Sequence, residues 1–127
     1  MRTFKTRPFA RFAHREGIAD AALCDAVERA ARGLVDADLG GGVIKQRIAR
    51  RGRGRSGGFR TIVVFRRGER AFFVHGFAKS DRENLRRKEL SGLRSLANEY
   101  LALDAAGLAA AQSTGAIIEV ECDDQAV

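Results

Sequence analysis

The central third of the chain carries three successive strand patterns separated by turn signals. These patterns cover residues 43–49, 59–65 and 71–78. In the first, Ile44 and Ile48 fall on one face of a strand, because side chains alternate with a period of two. Lys45 and Arg47 fall on the other face. The second and third are rich in β-branched and aromatic residues, which favour strands. Period-two counting along the third places Phe73, His75, Phe77 and Lys79 on one face. Consecutive antiparallel strands follow from this arrangement.

Helical patterns flank these strands. Thr6 can cap a first helix with Pro8 in its opening turn. A second helix begins near Asp20, with apolar residues at the spacing of an amphipathic helix. Those residues are Leu23, Ala26, Val27, Ala30 and Leu34. The pair Ser80 and Glu83 is typical of a capping box that starts a long third helix.

Asp104 can cap a short fourth helix, and residues 116–120 can form a last strand. We therefore expect the α+β class, with the helices on one side of a small antiparallel sheet: two N-terminal helices pack on the sheet, and C-terminal helices follow it in the chain. The length of 127 residues suits a single domain. We assign residues 1–120 to it and residues 121–127 to an acidic, frayed tail.

Composition excludes several classes of protein. No apolar run approaches the roughly 20 residues that span a bilayer, and the amino terminus lacks a signal-peptide pattern. Cys24 and Cys122 lie far apart in the sequence, and with His14 and His75 they offer no spacing for a metal site. We expect a reducing, cytoplasmic environment, a buried structural thiol at Cys24, and no metal or small-molecule cofactor.

Basic residues are concentrated in the middle of the chain. The whole sequence has 23 Lys and Arg against 16 Asp and Glu, a net charge of +7. Residues 43–70 alone carry ten of the basic residues and one acidic residue. Nine of these ten are arginine, which binds phosphate bidentately and stays protonated. The pattern favours a polyanionic partner, with nucleic acid first, over the alternative of ordinary surface charge.

Gly52, Gly54 and Gly57 satisfy the spacing of a dinucleotide-binding loop. That site requires a helix directly after the glycines, and here a strand pattern follows. The match is therefore accidental. We expect the glycines instead to allow an arginine-rich loop over residues 50–58 to approach a phosphate backbone.

A sheet face that gathers Lys45, Arg47 and Arg60 with His75 and Lys79 suits RNA cleavage by attack of the 2′-hydroxyl on the adjacent phosphate. Such a reaction needs one group to remove a proton, another to donate one, and fixed positive charge. Lysine and histidine can move protons, whereas arginine only stabilises charge. The alternatives are a solvated strand face and, for His75, a structural strand histidine.

Three segments carry a family resemblance: GLVDADLGGGVIK at 33–45, GRGRSGGFR at 52–60 and FFVHGFAK at 72–79. Over about residues 2–120 the chain resembles the RelE/ParE superfamily of bacterial toxins, and more narrowly the HigB-like RelE branch of type II toxin–antitoxin systems. The resemblance implies two helices packed on an antiparallel sheet. It also implies a ribosome-dependent messenger-RNA endonuclease held inactive by an antitoxin with a helix-turn-helix DNA-binding domain.

The resemblance also implies roles for individual residues. Arg60 matches the family arginine that contacts the scissile phosphate, Lys45 and Arg47 match the basic pair on the preceding strand, and Lys79 matches the basic residue after the third strand. Several RelE toxins have a base-stacking tyrosine near Arg82, where this chain has Asn84 and Leu85.

Tyr100 lies too far along the helix to replace that tyrosine. Either Phe77 stacks on the base or this branch positions RNA differently. We predict catalytic roles for Lys45, Arg47, Arg60, His75 and Lys79, and RNA binding by Arg50, Arg51, Arg53, Arg55, Phe77 and Arg82. Two alternatives stay open: a ParE-like inhibitor of DNA gyrase, and a non-catalytic basic nucleic-acid-binding protein.

Overall fold

The computed structural model describes residues 1–50, 54–78 and 85–122, and excludes the side chains of residues 50 and 54–57. The strands β1 to β6 cover Arg2–Thr6, Ala37–Gly40, Val43–Arg50, Gly54–Arg66, Arg70–Ala78 and Ile117–Val120. The helices α1 to α4 cover Arg7–Glu16, Asp20–Ala31, Arg87–Leu101 and Ala105–Thr114.

All six strands form one mixed sheet in the order β2-β3-β4-β5-β1-β6. The expected antiparallel pairing of β3, β4 and β5 is confirmed, and so is the α+β class. The expectation of a purely antiparallel sheet is wrong, because β1 pairs in parallel with β5. β1 and β2 were not expected: each is five residues or shorter, too short to give a clear alternating pattern.

Helices cover both faces of the sheet, so the expected one-sided arrangement is wrong. α1 and α2 pack with Ile44, Ile48 and Phe73 in one apolar core. α3 and α4 pack with Val43, Ile62 and Val64 in a second core. Neighbouring residues of β3 thus serve opposite cores, which is the consequence of strand alternation.

Capping side chains set several helix boundaries. Thr6 Oγ1 accepts a hydrogen bond from Phe9 N at the start of α1, and Asp104 Oδ1 accepts one from Gly107 N at the start of α4. Both sequence-based caps are therefore confirmed. The proposed Ser80–Glu83 cap lies outside the described residues, and α3 begins at Arg87 with the Glu89 carboxylate accepting from Arg86 N.

Two further expectations need correction. Leu34, expected on α2, lies beyond the end of that helix and is exposed. The loop expected over residues 50–58 is shorter at its C-terminal side, because β4 begins at Gly54 and Arg50 pairs with Gly54 after a register shift.

A disulfide joins Cys24 of α2 to Cys122, with 5.5 Å between the two Cα atoms and a sequence separation of 98. The expectation of a buried thiol at Cys24 is wrong, because the fold brings together two cysteines that sequence distance separates. The disulfide also holds residue 122 against α2, so the first residues of the expected frayed tail are attached to the domain. Among the described residues, no helix has the length and apolarity to cross a membrane.

Candidate nucleic-acid interface

Five of the predicted site residues lie in two adjacent cross-strand rows. Arg47 of β3, Arg60 of β4 and Phe77 of β5 are register partners and form the first row. Lys45, Ile62 and His75 form the second row. All six side chains belong to the sheet face that α3 partly covers, since Ile62 packs in the second core. We call this surface the cationic face.

A β-bulge places His75 on the cationic face. Ile62 pairs with His75 but the next residue, Val63, pairs with Phe73, so Val74 is an extra residue on β5. The period-two expectation that Phe73 shares a face with His75 and Phe77 is therefore wrong. Phe73 packs in the α1/α2 core, and its ring centroid lies 5.3 Å from that of Phe9. Bulges commonly redirect side chains in this way.

The cations of the face differ in exposure. Arg60 is 5% exposed and Phe77 is 6% exposed, Lys45 and His75 are half-buried, and Arg47 is exposed. The rings of His75 and Phe77 lie 5.9 Å apart. Directly opposed residues on one sheet face have Cβ atoms about 5 Å apart, so the Arg47 and Arg60 side chains start from neighbouring points. Their charges repel each other, and an anion placed between them relieves that repulsion.

Two charged side chains form hydrogen bonds with the backbone of Arg47. Asp36 Oδ2 accepts a hydrogen bond from Arg47 N at 2.7 Å, and Arg29 Nη2 donates to Arg47 O, also at 2.7 Å. Arg29 is 7% exposed and pairs with Asp25 at 3.1 Å and Asp36 at 3.5 Å. β2 ends its pairing with β3 at Lys45, so these side chains replace a neighbouring strand at Arg47.

Gln46 adds to this support on the side of β3 that faces α1 and α2. Its amide is 1% exposed, accepts from Asp36 N at 2.7 Å, and donates to Ala26 O and Leu34 O. The arrangement joins β3 to the end of α2 and satisfies a buried amide fully. Sequence reasoning missed Arg29, Asp36 and Gln46, and the only available signal was a glutamine at an inward position of a strand.

His75 also lines a pocket of about 240 Å³ together with Glu89, Gly92 and Leu93 of α3. The Glu89 carboxylate caps α3 and was not expected near His75. Helical periodicity gave no indication of it, because the approach depends on how α3 crosses the sheet. A carboxylate beside an imidazole is able to orient the ring.

The remaining predicted site residues are not placed by the structure. Lys79, Arg82, Arg51 and Arg53 lie outside the described residues, and the side chains of Arg50 and Arg55 do too. Their roles stay predictions. The one tyrosine, Tyr100, stacks on Phe72 with 4.7 Å between centroids, and burial raises its pKa. In the described part of the chain, no cluster of His, Cys, Asp and Glu is arranged to hold a metal ion.

This arrangement can bind a phosphate and move protons beside it. Arginine supplies fixed positive charge with bidentate geometry, while lysine and histidine can donate or accept a proton. Phe77 lies in the same row as the two arginines but is only 6% exposed, and its role in stacking on a base stays a prediction. The cationic face thus brings five of the predicted site residues together on one surface in a defined order.

Comparison with curated proteins gives no match. A family model described as the RelE toxin of the RelE / RelB toxin-antitoxin system matches residues 1–120. This match covers all the strands and helices described above and agrees with the resemblance read from the sequence, while the narrower HigB-like assignment stays a prediction. The chain therefore belongs to the RelE toxin family, and it is the toxin of a toxin–antitoxin pair.

Proposed function

We propose that this toxin is an endoribonuclease that cleaves messenger RNA on the ribosome and so stops translation. The observation that carries the proposal is the pairing of Arg47 with Arg60 directly across two strands, with Lys45 and His75 in the adjacent row. The family match supports a toxin whose relatives generally cleave messenger RNA. Ribosome dependence follows from the resemblance and is part of the proposal.

In this proposal Arg47 and Arg60 bind the scissile phosphate. Their side chains start from directly opposed positions on one sheet face, and their guanidinium groups stabilise the extra negative charge of the pentacoordinate transition state. Arg60, because it is buried, is held in place by the sheet, so little reorganisation is needed when charge develops.

Lys45 and His75 carry the proton transfers. They flank Ile62 across two strand spacings, roughly 10 Å between backbones, which leaves room for a phosphodiester between the side chains. One removes the proton of the 2′-hydroxyl, whose oxygen then forms a bond to phosphorus. The other donates a proton to the 5′-oxygen as its bond to phosphorus breaks. The products are a 2′,3′-cyclic phosphate and a 5′-hydroxyl.

The antitoxin in this proposal presents an acidic or apolar segment to the cationic face and carries a helix-turn-helix domain. Residues 43–70 carry ten basic residues and one acidic residue, so complementary charge speeds association. The association rate should therefore fall as salt rises. A rate that does not respond to salt would contradict masking by charge.

The test is inducible expression of wild type, Arg60→Ala and Arg66→Ala in a bacterial host, with primer extension on an abundant translated message. Arg66 is a matched control, because it lies on the same strand and face as Arg60 but is exposed at the C-terminal end of β4. We expect cuts within codons for wild type and Arg66→Ala and none for Arg60→Ala. The same message without a translation start should stay intact.

Other outcomes select the alternatives. Growth arrest with intact messages and damaged DNA favours a gyrase inhibitor. Loss of toxicity in Arg60→Ala with full RNA affinity argues against a pure binding protein. Growth that continues with wild type, and messages that stay intact, overturns the nuclease proposal.

A further inference from the structure

Helix α1 carries a second row of cations away from the predicted site residues. Arg7, Arg11 and Arg15 recur every fourth residue and so form one stripe, roughly 6 Å apart along the helix axis. Glu16 is the one acidic residue of this helix. Like charges at this spacing weaken a helix, so the stripe is not explained by helix stability.

The three arginines differ in what they contact. Arg7 donates to Thr114 O at 2.7 Å and to Gly115 O at 3.2 Å, so it caps the end of α4 and is structural. Arg11 is exposed. Arg15 is 66% exposed in its side chain, forms a 3.5 Å ion pair with Glu16, and lies over the Phe12 ring. Arg11 and Arg15 therefore have charge available for an external ligand.

Both arginines line a groove between α1 and the edge of β5. The groove has a volume of about 230 Å³ and an apolar floor of Phe9 and Phe12. Its other wall is the β5 segment Val74, His75 and Gly76, which continues past the end of the β1 pairing at Phe73. A second cavity of about 440 Å³ shares Arg11, Pro8 and Val74 and extends the groove towards Tyr100.

His75 connects this groove to the cationic face. It lines the groove beside α1 and also the pocket beside α3. A chain that leaves the cationic face at His75 therefore enters the α1 groove directly. Phe9 is buried, but the Phe12 ring is partly exposed beneath the cations, and cations beside an accessible aromatic ring are the combination that single-stranded nucleic acid favours.

We infer that the α1 groove is a second binding site for single-stranded RNA, in which Arg11 and Arg15 bind backbone phosphates of the strand that extends beyond the cleavage site. The inference rests on the proposed function for the identity of the polyanion. It adds a surface that the sequence-predicted site residues do not include.

The test measures binding of a short and a long 2′-O-methyl RNA oligonucleotide, which resist cleavage, over a range of salt concentrations. The variant is Arg11→Ala/Arg15→Ala. The control, Arg32→Ala/Arg67→Ala, removes the same charge from the end of α2 and from the β4–β5 turn. We expect the variant to bind the long oligonucleotide about tenfold more weakly, with a salt slope smaller by about 1.4. Binding of the short oligonucleotide should not change.

The conservative variant Arg11→Lys/Arg15→Lys should keep the wild-type salt slope, because each lysine still neutralises a phosphate. Equal loss on both oligonucleotides, or the same loss in the control, would show a general effect of charge and overturn the inference. Unchanged binding of the long oligonucleotide would overturn it as well.

The nuclease proposal can fail separately. If wild type binds the long oligonucleotide through Arg11 and Arg15 but cuts no message, the inference about the groove is supported and the nuclease proposal is overturned. If wild type cuts messages and the double variant binds and cuts equally well, only the inference about the groove is overturned. If wild type binds neither oligonucleotide, the inference about the groove is overturned, and the nuclease proposal is decided by the primer-extension experiment alone.

Discussion

Strand β3 presents polar side chains to both faces of the sheet, and the two faces use them differently. On the α1/α2 side, Gln46 is 1% exposed and its amide makes three hydrogen bonds to backbone groups. On the other side, Lys45 and Arg47 lie beside Arg60 and His75, so cations face cations. Gln46 thus joins β3 to neighbouring backbone, whereas the four basic side chains lie together on the cationic face.

The same difference separates the arginines. Arg29 is buried but lies against Asp25 and Asp36, and it supports the backbone of Arg47. Arg60 is equally buried, and its register partner on β3 is another arginine. Arg29 beside two acids supports the fold, whereas Arg47 and Arg60 across from each other place positive charge on one surface, to which an anion is attracted. Burial alone therefore does not distinguish structural from functional charge in this protein.

The largest effect should follow from removing a proton-transfer group on the cationic face. Lys45→Ala and His75→Ala should each slow cleavage by about 10²- to 10⁴-fold, the range for general acid–base groups. Single-turnover cleavage on programmed ribosomes measures this. A substrate with sulfur in place of the 5′-bridging oxygen has a leaving group that needs no proton.

That substrate should restore cleavage in one of the two variants, which identifies the acid, and leave the other slow. Rescue of both variants, or of neither, would show that Lys45 and His75 do not form the acid–base pair. Arg66→Ala serves again as the control on the same face, with a wild-type rate on both substrates.

A change in the free energy of unfolding, and not in cleavage, should follow from replacing Gln46 on the α1/α2 side of β3. Gln46→Leu keeps the size of the side chain but leaves Asp36 N, Ala26 O and Leu34 O without their partner. We expect the free energy of unfolding to fall by about 3 kcal/mol, since each buried unpaired group costs about 1–3 kcal/mol. Arg47→Ala should change it by less than about 0.5 kcal/mol. Urea unfolding compares the two, and equal losses would erase the distinction between the faces.

Much of this contrast was predictable from local sequence. Alternation in residues 43–49 predicted Ile44 and Ile48 on one face of the strand and Lys45 and Arg47 on the other. The structure confirms this, with Ile44 and Ile48 packed against α1 and α2. The caps at Thr6 and Asp104 were equally local, because a side chain bonds a backbone group three residues away.

Features that depend on distant segments were not predictable. The bulge at Val74 reflects pairing with β4, and period-two counting therefore misplaced Phe73. β1 gains its strand conformation from β5 and β6 on either side, not from its own five residues. The Cys24–Cys122 disulfide and the Arg29–Asp36 support of Arg47 both require the folded arrangement of α2.

A smaller effect on cleavage should follow from removing Asp36, which accepts a hydrogen bond from the backbone of Arg47. Asp36→Ala removes the acceptor of Arg47 N, whereas Asp25→Ala removes the other acidic partner of Arg29 and leaves that acceptor in place. We expect Asp36→Ala to slow cleavage about tenfold, because Arg47 loses its fixed position. Asp25→Ala should have little effect. Hydrogen exchange at the Arg47 amide, which should quicken in Asp36→Ala alone, tests the support without relying on activity.

The double variant Asp36→Ala/Arg47→Ala shows whether Asp36 acts by positioning Arg47 or by some other effect on the site. If Asp36 acts through Arg47, the double variant is no slower than Arg47→Ala alone. Multiplied losses would mean that Asp36 acts on the site by another route.

The smallest effect should come from an arginine that is paired at the far edge of the sheet. Arg2 donates two hydrogen bonds to the Glu119 carboxylate, at 2.9 and 3.0 Å, and joins β1 to β6. These hydrogen bonds lower the pKa of Glu119 below its usual range, against the opposing effect of burial. The same contact raises the pKa of Arg2. Both side chains are partly exposed, so solvent screens the pair.

Because the folded pKa of Glu119 is lowered, the stability it contributes is complete above the ordinary glutamate pKa and is lost as the pH falls through the lowered value. Glu119→Gln should therefore reduce the free energy of unfolding by less than about 1 kcal/mol at neutral pH. The difference from wild type should vanish in acid and shrink in high salt. Urea unfolding at several pH values measures it, with Glu69→Gln, whose 3.6 Å pair with Arg66 is more exposed, as the control. A difference that persists in acid would mean that packing of residue 119, and not its charge, holds β6 to β1.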